Sequence, residues 1–133
     1  MNLNEFFESL ANNASRNFKI EQLKKNSGDE TLKEVVRLAL DPFTQFYQRK
    51  IPKYTPNTSD HAASLQSMLP ALGDLSGRVV TGNAAIDRLT AILEVVSEQD
   101  AKVIERIIQK DLKCGVQVST ANAVWENLVH EYP

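Results

Sequence analysis

The chain of 133 residues contains one cysteine, Cys114. A single thiol forms no internal disulfide, so a reducing cytosol is the natural setting. Histidine is almost as scarce. His61 and His130 stand far apart, and neither they nor Cys114 have partners at metal-ligand spacing, so no zinc centre is expected. No apolar run approaches the roughly 20 residues of a membrane span, and the opening MNLNEFFESLANN lacks the basic-then-apolar order of a signal peptide. A soluble, cytoplasmic chain with no membrane partner is expected. GxxxxGK[ST] and GxGxxG phosphate loops are both missing. An excess of either charge is missing too: 15 Lys and Arg face 17 Asp and Glu, for a net charge of −2. That balance excludes a polybasic tail but not a basic face, because binding depends on where charge sits.

What remains is helix after helix. Leu3, Phe6, Phe7 and Leu10 recur at spacings of three and four and form one apolar stripe. Phe18, Ile20 and Leu23 form a shorter stripe, with Lys19, Lys24 and Lys25 expected outside it. Gly28 marks a stop, and Asp29 and Glu30 suit the start of a helix carrying Leu32, Val35, Val36 and Ala39 inward. Pro42 ends that helix or opens the next. FTQFYQRK reads as a short helix and IPKYTPNTSD as the clearest loop. A helix near 60–69 and short turns around Pro70, Gly73 and Gly77 follow; RVVT is the only strand-like fragment. The last third carries the strongest periodicity. Ile86, Leu89, Ile92, Leu93 and Val96 share one face of a helix over 84–96. Ser97 caps a second helix, over 98–111, with Val103, Ile104, Ile107, Ile108 and Leu112 inside. A third begins at about 119, with Ser119 or Thr120 as its cap. The expected fold is all-α: a single compact multi-helix domain spanning residues 1–133.

Catalytic groups are hard to find. Cys114 has no visible base and reads as a small buried thiol. Glu94, Glu98 and Asp100 read as a solvated helix end. Two helix entrances stand out instead. At TGNAA, Thr81 and Gly82 precede Asn83, the expected cap. At KDLKCGVQVST, Lys110 and Lys113 flank a turn at Gly115 before Ser119 and Thr120. Helix N-termini present free N–H groups and partial positive charge, and Gly admits close backbone approach, so such entrances can hold phosphate. Ordinary turns use the same residues, and on spacing alone that plainer reading is the more economical.

The segment TGNAAIDRLTAILEVV…VIERIIQKDLKCGVQVSTANAVW resembles the N-terminal DNA-binding domain of ATP-dependent DNA ligases. The shared pattern is a Gly-containing helix entrance, two helices, a basic run, L-[RK]-x-G and a third helix. Here its parts are Thr81-Gly82-Asn83 and Leu112-Lys113-Cys114-Gly115. LKKNSGDETLKEVVRLAL and FYQRKIPK extend the resemblance, to phage members of the family, through the first third. It implies an all-helical domain that grips nicked duplex DNA across the minor groove and reads shape and phosphates, not sequence, in replication, repair and recombination. Gly82, Asn83 and Gly115 map onto backbone-amide phosphate contacts and Lys113 onto the basic residue of L-[RK]-x-G. Thr81, Lys110, Ser119 and Thr120 complete the expected DNA-binding set. Among departures, the second helix has only Lys102, Arg106 and Lys110 as cations, with Glu105 and Asp111 among them, which implies low affinity for this domain alone.

No Lys is followed two residues later by Asp-Gly, so the family's K-x-D-G adenylation site is absent. The chain reads as an excised ligase domain, or a product ending at Pro133, with no enzymatic activity and no cofactor of its own. ATP and Mg²⁺ belong to the intact ligase. Expected partners are duplex DNA, the remaining ligase domains and a sliding clamp, with the chain a monomer, in the host cytoplasm if phage-encoded. A helical protein-binding adaptor is the alternative, with Trp125 and Tyr132 as a docking patch, although a lone Trp at a helical apolar position is more often core. Lys110, Lys113 and the YQRKIPK cations on one face favour DNA; their scattering favours the adaptor.

Overall fold

The structure, a computed structural model, describes residues 2–48 and 50–130. Arg49, Tyr132 and Pro133, which figure in the readings above, lie outside the described residues. The helices are α1 Leu3–Ala11, α2 Arg16–Lys25, α3 Glu30–Leu40, α4 Leu65–Met68, α5 Gly73–Ser76, α6 Gly82–Val95, α7 Glu98–Ile108 and α8 Val118–Val124. A 3-10 turn, Leu69–Leu72, joins α4 to α5. The all-α expectation holds: the described residues contain two isolated bridges and no strand.

Local chemistry sets most boundaries. Side chains of Asn2, Ser15, Asp29, Ser64 and Ser97 accept from the backbone N–H three residues on, and so close the N-termini of α1, α2, α3, α4 and α7. α7 is the centre of the molecule. It packs against α1, α3 and α6, while α2 packs on α8. Ala101, Val103, Ile104, Ile107 and Ile108 are all buried, a face wide enough to meet three neighbours. The polar Asn4 is buried in the α1–α7 seam, where its Nδ2 donates to Gln99 Oε1 at 2.9 Å. Trp125 is core, and its Nε1 donates to Ser27 O at 3.1 Å, tying the end of α8 to the α2–α3 turn.

The proline-rich stretch is a loop, as expected, and it and the residues just after it are fastened to the α6–α7 corner and to the later part of α7. Ala63 N donates to Val95 O at 2.8 Å, and Tyr54 Oη donates to Glu105 Oε2 at 2.6 Å. Burial and the nearby Glu105 carboxylate push the Tyr54 phenol well above its ordinary pKa.

Several expectations need correction. Residues 43–48 are not helical: Phe46 is drawn into the core while Tyr47 takes a left-handed φ of 60°, which a helix does not accommodate. The helix expected near 60–69 starts only at Leu65, where Ser64 provides its cap. α7 stops at Ile108 rather than 111, and Lys110 is left-handed at φ 55°. Ile86 faces outward at 41 % exposure, and Ala85 takes its inward place above Leu89. Lys19, expected outside its stripe, is buried.

Ile104 sits fully enclosed where α7 meets its neighbours. Ile104→Ala should cost about 2–5 kcal/mol of unfolding free energy, for lost transfer energy and the cavity left behind. Urea denaturation measures this, and a loss below about 1 kcal/mol would show that α7 is not the packing centre.

Candidate nucleic-acid interface

The helix at the first entrance, α6, begins two residues earlier than its sequence suggests. Thr81 precedes the helix and Gly82 is its first residue, with φ +57°, so Asn83 lies inside the first turn and is not the cap. A side chain at a positive φ is disfavoured, which explains the glycine. Thr81 makes no capping hydrogen bond. Among the described residues α6 is thus the only helix of more than one turn, apart from the seven-residue α8, whose N-terminus no side chain closes. Thr81, Gly82 and Asn83 are all exposed, so its first N–H groups face solvent.

The second element is the turn after α7, which doubles back through left-handed residues: Lys110 (φ 55°), Lys113 (φ 56°) and Gly115 (φ 74°). Arg106 holds it from inside. Its Nη1 donates to Leu112 O, and its Nε and Nη2 donate to Asn4 Oδ1 at 3.3 and 3.2 Å. Its guanidinium also lies 5.7 Å from the Phe7 ring centre. Asp111 Oδ1 accepts from Lys113 N at 2.9 Å. Cys114 points inward, and burial pushes its thiol pKa up, against the opposing pull of the Val116 N–H, Arg106 and Lys19. A buried thiol with a raised pKa is a poor nucleophile, in line with the packing role read from the sequence.

The two lysines of the turn play different parts. Lys110 turns inward: its Nζ donates to Leu38 O and, at 2.7 Å, to Asp41 O, and stands 5.6 Å from the Phe46 ring centre. Those carbonyls end α3, so the ammonium meets the negative end of that helix. Burial is the main cause lowering the Lys110 pKa to about 8, with Asp41 opposing and Arg37 adding to the fall. Lys113 is exposed and forms no ion pair among the described residues. α8 begins at Val118 with Gln117 as its N-cap, so neither Ser119 nor Thr120 caps it; Ser119 is exposed and Thr120 buried.

Residues 45–48 join the two elements. On one side they form an open cleft with Lys110, Asp111 and Lys113. On the other, Phe46, Tyr47 and Gln48 line a small recess with Arg78, Thr81 and Gly82. The α6 entrance and the Lys113 turn therefore belong to one continuous surface. Tyr47 lies at its middle, 59 % exposed, with the Arg78 guanidinium 4.4 Å from its ring centre. Arg78 is itself left-handed at φ 55°. Sequence reading singled out neither residue for binding; an aromatic inside the cation-rich FYQRK was the available signal. Lys110 and Lys113 share a cleft with Tyr47 and Gln48, but of the YQRKIPK cations Lys50 and Lys53 do not line it and Arg49 lies outside the described residues. The burial of Trp125 removes one half of the adaptor's docking patch.

Comparison with known proteins decides the lineage. Over 115 residues the chain is 36 % identical to the DNA ligase of Enterobacteria phage T4, a match covering 84 % of this chain and 23 % of the relative. The chain is homologous to part of a phage DNA ligase. The same figures hold for the DNA ligase of Enterobacteria phage T6. The chain spans about a quarter of the length of these ligases. No protein-family model matches it. Among solved structures, Pmar-Lig_PreS3 aligns with a TM-score of 0.78 and 25 % identity, over 91 % of this chain and 28 % of that one. Pmar-Lig_Pre aligns with a TM-score of 0.79 and 27 % identity over the same shares. The all-α fold expected from the ligase resemblance is thus shared by these structures.

The two lysines should separate in stability measurements. Lys110→Met leaves Leu38 O and Asp41 O without their donor and should cost about 1–2 kcal/mol in urea denaturation. Lys113→Ala should stay within about 0.5 kcal/mol of the parent. Equal stability of Lys110→Met and the parent would show that Lys110 does not pin the turn to α3.

Proposed function

We propose that this chain binds duplex DNA, with preference for a nick, as the DNA-binding part of an ATP-dependent ligase. Contacts go to phosphates and the minor groove, so binding is independent of base sequence. The observation that carries the reading is the single surface joining the exposed, uncapped entrance of α6 to the Lys113 turn through Tyr47 and Arg78. The homology to phage DNA ligases supports it.

The chemistry suits a phosphate backbone. Free N–H groups at Gly82 and Asn83 donate to phosphate oxygens without regard to the base above. Lys113, exposed and unpaired, releases counterions when it meets a phosphate. Arg78 and Tyr47 present a planar cation on an aromatic ring between those two points, a shape matched to the groove edge. Lys110 serves from behind by fixing the turn, with its ammonium on α3 carbonyls. The 133 residues hold no K-x-D-G. On this reading, enzyme adenylation, AMP transfer and phosphodiester formation, with ATP and Mg²⁺, belong to the remaining ligase domains, and this chain, a cytoplasmic monomer without a cofactor, contributes affinity and orientation.

Fluorescence anisotropy with nicked and intact duplexes tests the reading. For about three to five phosphate contacts, log K should fall with log[salt] at a slope of roughly −3 to −4.5. Lys113→Ala should weaken binding by about 0.5–1.5 kcal/mol and reduce the slope by about one. A flat salt response, or strong preference for one sequence among random duplexes, contradicts the proposal.

A further inference from the structure

Lys19, on α2, is the only buried residue with a charged side chain among those described, at 8 % exposure. A buried charge is normally paired. Among the described residues no carboxylate, carbonyl or side chain accepts from Nζ. The ion pairs of the described residues are Lys25–Glu21, Arg37 with Glu34 and Asp41, and Arg88–Asp74, all without Lys19. Every fully enclosed side-chain nitrogen or oxygen does have a hydrogen-bond partner. The Lys19 stem is therefore buried while its ammonium opens to the surface, as amphipathic side chains allow.

The ammonium emerges at Gly115. A Cβ placed on that residue would stand 2.3 Å from Lys19 Nζ and 3.5 Å from Cε, so any side chain there must displace the cation. Gly115 is exposed, and its own N–H has no acceptor among the described residues. The packing of α2 on α8 brings the cation there. Arg106, bound to Leu112 O on the same turn, likewise forms no ion pair among the described residues. Both cations act on the Cys114 thiol. A cation with no ion pair among the described residues thus stands beside a bare Cα at the surface.

We propose that Lys19 and the turn of residues 112–115 form a phosphate-binding site, in which the buried-stem ammonium reaches its ligand past the bare Cα of Gly115. This deepens the DNA-binding reading and, for a DNA phosphodiester as the ligand, rests on it. It assigns the glycine a second role besides its positive φ: it leaves room for the cation. Lys113, exposed on the same turn, supplies a second charge.

Two measurements on the full 133-residue chain separate this proposal from the broader one. In thermal unfolding, inorganic phosphate should raise the parent Tm by about 2–5 °C over chloride at matched ionic strength. Lys19→Met keeps the stem and loses the charge. It should lose that response and be at least as stable as the parent in chloride, whereas a merely structural lysine would leave the variant less stable. Gly115→Ala, which pushes the ammonium aside, should also lose the response, and serves if Lys19→Met does not fold. In anisotropy, Lys19→Met should weaken duplex binding about five- to tenfold and lower the salt slope by about one. A phosphate response absent from the parent, or retained in both variants, overturns the site. A parent chain that binds DNA as tightly as Lys19→Met does, with the same slope, overturns the DNA phosphate as its ligand while leaving the DNA-binding reading intact. A Lys19-dependent phosphate response in a parent that binds no DNA supports the site and removes the broader reading.

Discussion

The grip of Arg106 on the turn behind α7 is the interaction on which the rest depends. Its guanidinium ties α1, through Asn4 and the Phe7 ring, to the Leu112 carbonyl near the other end of the sequence. The Leu112 carbonyl is held from the core side, so the next residues can leave in left-handed conformations that a free turn would seldom populate. Lys110 repeats the device on the other side by anchoring the same turn to the end of α3. A surface loop thereby acquires the rigidity of the helices beneath it. Such rigidity suits a surface that reads a backbone by shape.

Left-handed residues, Asn127 apart, gather on the proposed face. Tyr47, Arg78, Gly82, Lys110 and Lys113 all have φ near +60° and all line the two adjoining recesses, while Gly115 closes the turn beside them. A cluster of uncommon backbone conformations is a cost that the surrounding packing must offset. Lys25, Arg37 and Arg88 are paired with acids, whereas Lys19, Arg106, Lys110 and Lys113, all at or beside the turn after α7, form no ion pair among the described residues.

Much of the fold was legible because apolar spacing and cap residues are local. The stripes of α1, α3 and α7 and the caps Asp29 and Ser97 follow from neighbours three and four residues apart. Errors arose where tertiary contacts override local preference. Phe46 is pulled inward and breaks the helix read over 43–50. Lys19 was assigned to solvent by its charge, although its stem is apolar and α8 covers it. Asn83, Ser119 and Thr120 were taken for caps because their types suit that role, and the true caps, Thr81 and Gln117, lie two or three residues earlier. Glycine at Gly82 and Gly115 was read correctly as marking special backbone, and both have positive φ. The pairing of Tyr47 with Arg78 was not legible, since only the folded chain brings them together.

The central claim is that the α6 entrance and the turn after α7 act as one DNA-binding surface. Amide chemical-shift mapping on the labelled chain, with nicked duplex added stepwise, tests it most directly. The account predicts that the amides of Tyr47, Arg78, Gly82, Asn83, Lys113 and Gly115 shift together with a single affinity, while those of the loop around Asn57 and Asp60 stay in place. Shifts confined to that loop, or different affinities at Gly82 and Gly115, would contradict it.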